Sequence, residues 1–269
     1  MQLKAHNQKN RIAEIDILRG ISVVLMIFDH LMFDLWGLMP SIFSSYPRAS
    51  DAWCDIYLFA RRYWNSDVRA CVRPVVIFCF LMLVGVCCSF SKDNLKRGIR
   101  LGCVSLALSA VTVTMGLVTG DVDMAILFGV LHCISLTLIL IGLCEKARLG
   151  KWWYLALGIL FVTLGSFLEH GQGYLSLERA NALQVLFSTV IGTAASGSDS
   201  FSLFLYGGQI FIGVFIGRWL YSERRSLFSI DYKDSVMAFL GRHSLFVYIA
   251  HQILIPVLLG AVLFICGFR

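Results

Sequence analysis

The run from Glu14 to Leu38, EIDILRGISVVLMIFDHLMFDLWGL, restricts the fold more than any other part of the chain. It is long and apolar enough to cross a bilayer, which takes about 20 such residues. It nevertheless carries Asp16, Arg19, Asp29, His30 and Asp34. A charge at mid-membrane costs at least about 2.5–3.5 kcal/mol on insertion scales. Several charges on one span therefore need partners, a wet cavity or a chemical task. Their placement narrows the choice. At roughly 100° per residue, Arg19 and His30 fall only about 20° apart around the helix axis, with His30 about 16 Å further along. Asp16 and Asp34 share that stripe, and Asp29 points to the side. The stripe is polar at its inner end, apolar at Val23 and Ile27, and polar again at mid-depth. That pattern suits the lining of a groove or tunnel.

The remaining sequence extends the membrane reading. Hydrophobic residues make up 58% of the 269 and charged residues 15%, against about 45–50% and about 25% in soluble domains. Helices satisfy their own backbone hydrogen bonds in lipid, so an all-α polytopic protein without sheet is expected. Apolar runs predict seven transmembrane helices at about 17–38, 72–90, 99–118, 125–144, 152–168, 201–220 and 243–265. Little lies outside them, so the chain reads as one domain, 1–269, with a cytoplasmic tail over 1–13. Residues 40–70 read as a hydrophilic loop whose Trp53, Tyr57, Tyr63 and Trp64 lay part of it along the interface. The stretch 181–195 is short for a span and reads as re-entrant or surface-lying. The string Gly213–Gly217, GVFIG, fits close helix–helix packing.

The formal net charge of +6 does not point to nucleic acid, because no basic patch is interleaved with exposed aromatics. The cations instead mark topology. Lys4, Lys9, Arg11 and Arg19, then Lys92, Lys96, Arg97 and Arg100, then Lys146, Arg148 and Lys151, then Arg218, Arg224, Arg225, Lys233 and Arg242 all fall inside if the amino terminus is inside. This favours N-in and C-out. Crossing the membrane at 181–195 would put the Arg218–Arg242 cluster outside. The nine cysteines form no CxxC pair and no Cys/His ligand pattern, so no metal is expected. Cys54 and Cys71 flank the first outer loop and can form a disulfide if that loop faces an oxidising exterior.

Three histidines fall within spans: His30, His132 and His251. Together with Asp29 and Asp34 they suggest a site rather than packing alone. Ser244, Tyr248 and His251 recur at spacings of four and three and share a helix face, with Gln252 next in sequence. Histidine suits removal of a proton from an acceptor hydroxyl or amine, since its ordinary pKa of about 6.5 lies near operating pH. Asp34, one turn beyond His30, and its neighbour Asp29 are candidates to hold the ring and stabilise its cation. Arg19 can neutralise phosphates near the inner face or pair with Asp16. There is no GxSxG elbow, P-loop or HExxH motif.

Three strings resemble one branch of the membrane acyltransferases: EIDILRG with the histidine eleven residues after its arginine, GVLHCISL in the fourth span, and LGRHSLFVYIAHQ in the seventh. This is the prokaryotic family related to the catalytic domain of heparan-α-glucosaminide N-acetyltransferase. The resemblance implies acetyl-CoA as cytoplasmic donor and a carbohydrate or glycan acceptor on the far side of a plasma membrane. It implies that Arg19 and His30 belong to the acyl-transfer site, and the reading of the residues sets Arg19 (with Asp16 beside it) at the donor and His30, supported by Asp34 or Asp29, as the base. His132, Ser244, Tyr248, His251 and Gln252 then line the substrate pocket. The lysosomal member of the family is thought to use a histidine in its first luminal loop, but residues 31–131 contain none. The base must come from elsewhere, and His30 is the choice. Self-association of the bundle is left open. The rival readings are a transporter using the intramembrane His and Asp residues, and a membrane scaffold without catalysis.

Overall fold

The computed structural model describes residues 12–47, 51–120, 125–170, 173–175, 180–197, 199–228 and 235–269. The stretch ahead of Ile12, the turn with Asp121 and Asp123, and Lys233 lie outside them. Six helices are long and apolar enough to cross a membrane: Ala13–Ile42, Asp67–Cys88, Asn94–Val118, Lys151–Glu169, Leu203–Leu220 and Ser244–Ile265. The fourth expected span is present as a helix of 17 residues, Val130–Lys146. Contrary to the expectation of no sheet, β1 (Gly173–Tyr174) pairs in parallel with β2 (Ala194–Ala195), two residues each. The protein is an all-α polytopic membrane protein.

Local sequence explains where the helices depart from their expected limits. The first runs as α1 (Ala13–Phe33), a π-helical turn (Asp34–Leu38) and α2 (Met39–Ile42). Pro40 lacks an N–H, which would end a regular helix, but here it opens α2 directly after the wider π turn. The supposed loop contains an amphipathic helix, α3 (Asp51–Trp64). The next, α4 (Asp67–Cys88), starts five residues earlier than the apolar run, because the Ser66 hydroxyl accepts the Arg69 N–H at 3.2 Å and caps it. Cys54 and Cys71, on α3 and α4, are free thiols, so the disulfide is not formed. Asp93 caps α5 (Asn94–Thr119), accepting the Lys96 N–H at 2.9 Å. That contact, joined by the Lys96 ammonium, holds the Asp93 carboxyl below its usual range. After α6 (Val130–Lys146) come α7 (Lys151–Glu169), α8 (Ala182–Ile191), α9 (Leu203–Leu220), α10 (Val236–Arg242) and α11 (Ser244–Ile265). The short α10 lies in a stretch where no element was expected.

The chain forms two compact units, Met1–Phe80 with Arg225–Arg269, and Leu81–Arg224. In the first, α1 and α11 run side by side in the same direction. Arg19 meets Ser244, His30 meets His251, and Met39 packs with Leu263. The Gly20 and Gly241 crossing brings α10 against α1. A Cβ on Gly20 would lie 1.9 Å from the Met237 carbonyl oxygen, and one on Gly241 1.7 Å from that of Asp16.

In the second unit α7 and α9 are antiparallel: Gly158 abuts Gly208 and Ile212, while Gly165 abuts Leu205. Ser202 donates to Glu169 at 2.5 Å, tying the end of α7 to the start of α9. The segment carrying α8 thus leaves and returns at one end of the unit and does not cross it. Such a path is common to the re-entrant and the surface-lying readings of 181–195. Gly213 of the GVFIG string approaches α4, where a Cβ would lie 2.2 Å from the Met82 carbonyl oxygen.

At the other end of this unit, five helix termini are joined. Glu145 accepts from Arg218 at 2.8 Å and from Asn94 at 3.0 Å. The Arg218 guanidinium sits 4.2 Å from the Tyr154 ring centroid. Asn94 is fully buried and also donates to the Cys88 carbonyl at 2.8 Å. A hydrogen bond to a charged group contributes about 1.5–3 kcal/mol. Arg218→Ala is expected to destabilise the protein by that amount, read as a lowered unfolding midpoint in detergent. An unchanged midpoint would mean that the junction does not hold these helix ends.

Candidate functional site

The polar stripe of α1 meets α11 at two levels. At the first level the Arg19 guanidinium donates to the Ser244 hydroxyl. Ser244 is buried, and it reaches Arg19 because the glycine crossing brings the α10–α11 junction down onto α1. At the second level the His30 and His251 rings lie edge to face, with centroids 4.9 Å apart and an angle of 67°.

The tautomers of these two histidines follow from their partners. His30 Nδ1 lies 2.9 Å from the Met26 carbonyl oxygen, and His251 Nδ1 3.2 Å from that of Val247. A carbonyl oxygen only accepts, so each Nδ1 must carry the proton and each neutral ring has its lone pair on Nε2. His251 is buried, and its Nε2 has no hydrogen-bond partner among the described residues. Tyr248, also buried, has its ring 5.6 Å from that of His251, and its hydroxyl accepts from Gln252 at 3.4 Å. His30, Ser244, Tyr248, His251 and Gln252 are therefore brought together with Arg19 along one pair of helices. Asp16 lies one turn before Arg19, and its backbone carbonyl is the atom that Gly241 approaches.

The two carboxylates proposed beside His30 have different fates. Asp34 begins the π turn, a helix irregularity frequent at functional sites. It is buried, with no hydrogen bond or ion pair to its carboxylate among the described residues. Asp29 is committed elsewhere. Arg69 donates Nε to Oδ1 at 2.6 Å and Nη2 to Oδ2 at 3.1 Å, and the Tyr63 hydroxyl donates to Oδ1 at 3.1 Å. Arg73 stands 3.8 Å away. The Arg69 guanidinium is also 3.4 Å from the Trp64 ring centroid. Burial, with the Asp29 carboxylate next, pushes the Tyr63 hydroxyl above its ordinary pKa, so it stays a donor near neutrality. Asp29 thus fastens α3 and α4 to α1. Neither Arg69 nor Tyr63 was identified from the sequence as a partner of Asp29. The signal was there: several arginines crowd a segment that the charge rule assigns to the outside, where cations are otherwise sparse.

His132 belongs to the second unit and is a cap. The Gly129 N–H donates to Nδ1 at 3.3 Å, so Nε2 holds the proton and donates to the Ser109 hydroxyl at 3.0 Å. Ser109 in turn donates to the Ile126 carbonyl at 2.6 Å. A base that activated Ser109 would need the reverse direction, so this Ser–His pair is not a nucleophile and its base. Asp199 accepts the Val130 N–H at 3.0 Å and completes the start of α6. Among the described residues no group of three or more His, Cys, Asp or Glu side chains could hold a metal ion.

Comparison with curated proteins finds no match, and comparison with solved structures finds none either. The family model described as heparan-alpha-glucosaminide N-acetyltransferase, catalytic, matches residues 11–44 and 53–253, which include Arg19, His30 and His251. With most of its length matched and the resembling strings of α1 and α11 facing each other, the chain belongs to the heparan-alpha-glucosaminide N-acetyltransferase catalytic family.

Proposed function

We propose that this membrane acetyltransferase takes its acetyl group from cytoplasmic acetyl-CoA and passes it to a hydroxyl or amine of a carbohydrate on the far side of the plasma membrane. The observation that carries this reading is the His30–His251 pair, two imidazoles whose Nε2 lone pairs are held ready by backbone carbonyls. Acetyl-CoA, when bound, supplies the acetyl group as a thioester. His30 Nε2 takes the proton of the acceptor as the acceptor attacks. Asp34, one turn away, stabilises the resulting imidazolium. Arg19 favours the donor's negative charge at the inner end of the stripe, held in place by Ser244.

The test uses purified protein in liposomes loaded with hexosamine and hexose oligosaccharides. Acyl-labelled acetyl-CoA is supplied outside, and transfer of label is followed. General-base catalysis contributes about 10²–10⁴-fold. His30→Ala should lose that factor while remaining as abundant and monodisperse as wild type. Full transfer by His30→Ala would remove His30 from the mechanism. Solute uptake driven by an ion gradient, with no transfer by wild type, would replace the acyltransferase reading with a transporter.

A further inference from the structure

We infer that His251 is a second proton-handling residue of this site, sharing with His30 the proton that the acceptor gives up. The inference rests on the acyl-transfer reading above. It begins from an imbalance in the packing. Burying a hydrogen-bonding nitrogen with no partner loses its hydration for nothing, and buried polar groups in native proteins are normally satisfied. His132 shows the satisfied case in this same chain, with one ring nitrogen accepting and the other donating. At His251 the Nδ1 proton is engaged by Val247, while the buried Nε2 is left without a partner.

His30 cannot supply the missing proton in the resting state. Its own Nδ1 proton is directed at Met26, so its Nε2 is also a lone pair. Two acceptors on rings 4.9 Å apart cannot bond to each other. Adding one proton gives the pair a donor: as the rings close up, the imidazolium of one donates to the lone pair of the other. A proton gained by the pair therefore gives the buried His251 Nε2 the donor that no described protein group supplies. Neither Asp29, held by Arg69 and Tyr63, nor Arg19, directed at Ser244, fills the gap.

The step balances. The acceptor's X–H bond breaks and its proton moves to His30 Nε2 while X bonds to the thioester carbonyl carbon. His251 Nε2 stabilises the imidazolium while the carbon–sulfur bond breaks. The proton then leaves with the thiolate as the free thiol, and both histidines return to neutral.

His251→Asn, which cannot take a proton, should lower kcat about 10- to 100-fold, the range for losing a hydrogen bond to a charged group. KM for acetyl-CoA should stay within about threefold of wild type. Residues acting as a unit are non-additive, so His30→Asn/His251→Asn should be no slower than His30→Asn alone. His251→Gln serves if His251→Asn does not accumulate folded protein. Nitrogen NMR of histidine-labelled wild type should show an unprotonated Nε2 on both rings. A kcat within twofold of wild type, a double variant slower by the full His251→Asn factor, or a protonated Nε2 on resting His251 would each overturn the proposal. Absence of transfer by wild type would instead overturn the acyltransferase reading, and this inference with it.

Discussion

Asp29→Ala is expected to destabilise the protein by about 1.5–3 kcal/mol, the usual cost of losing a hydrogen bond to a charged group, here in a part-buried ion pair. The reason is what the substitution leaves behind. Arg69 keeps a guanidinium whose side chain is only 14% exposed. Without Asp29 that charge retains the face of the Trp64 ring but no carboxylate. The Tyr63 hydroxyl loses its acceptor at the same time. Arg69→Leu combined with Asp29→Ala should recover part of the loss, because no orphan charge then remains. Unfolding of the purified variants in detergent, followed as a two-by-two cycle, measures this. If Asp29→Ala unfolds like wild type, Asp29 does not fasten α3 and α4 to α1. Transfer activity is a second readout, since α1 also carries His30.

Gly241→Leu should abolish the folded protein. Overpacking a close contact costs about 1–3 kcal/mol and occasionally more, and this site lies beyond the ordinary case. A Cβ there would sit 1.7 Å from the Asp16 carbonyl oxygen and 3.0 Å from the Gly20 backbone nitrogen. Both are main-chain atoms of α1 and cannot move aside as a side chain would. The helices must separate, which withdraws Ser244 from Arg19 and exposes the face that α10 covers. Gly150→Ala is the control, because a Cβ there meets nothing within 4 Å. Size-exclusion profiles of the two variants should differ sharply. Equal, monodisperse profiles would show that α1 and α10 do not depend on this crossing.

Much of the fold is legible in the sequence because lipid enforces a simple rule. A bilayer-length apolar run must be helical, and hydropathy finds it. The helix ends proved less legible. Ser66 and Asp93 start α4 and α5 ahead of their apolar runs, and the cap is written in one polar residue rather than in hydropathy. The helix α10 went unseen because seven residues give no periodicity to read.

The site divides in the same way. The stripe of Asp16, Arg19, His30 and Asp34 on one helix face was fixed by 3.6-residue geometry and needed no tertiary information. So was the grouping of Ser244, Tyr248 and His251, which a single turn of helix guarantees. The sequence therefore determined two polar helix faces and an all-helical membrane architecture. Which residues those faces meet was decided only by tertiary packing. Arg19 and Ser244 are 225 positions apart, and their contact depends on glycines whose backbones come nearly to touching. Packing turned Asp29 toward Arg69 and made His132 a helix cap. It also set the His30 and His251 rings edge to face. Helical periodicity is a local property that one strand of sequence can carry. The pairing of two helices depends on shapes and charges contributed by both, and becomes definite only once they have packed.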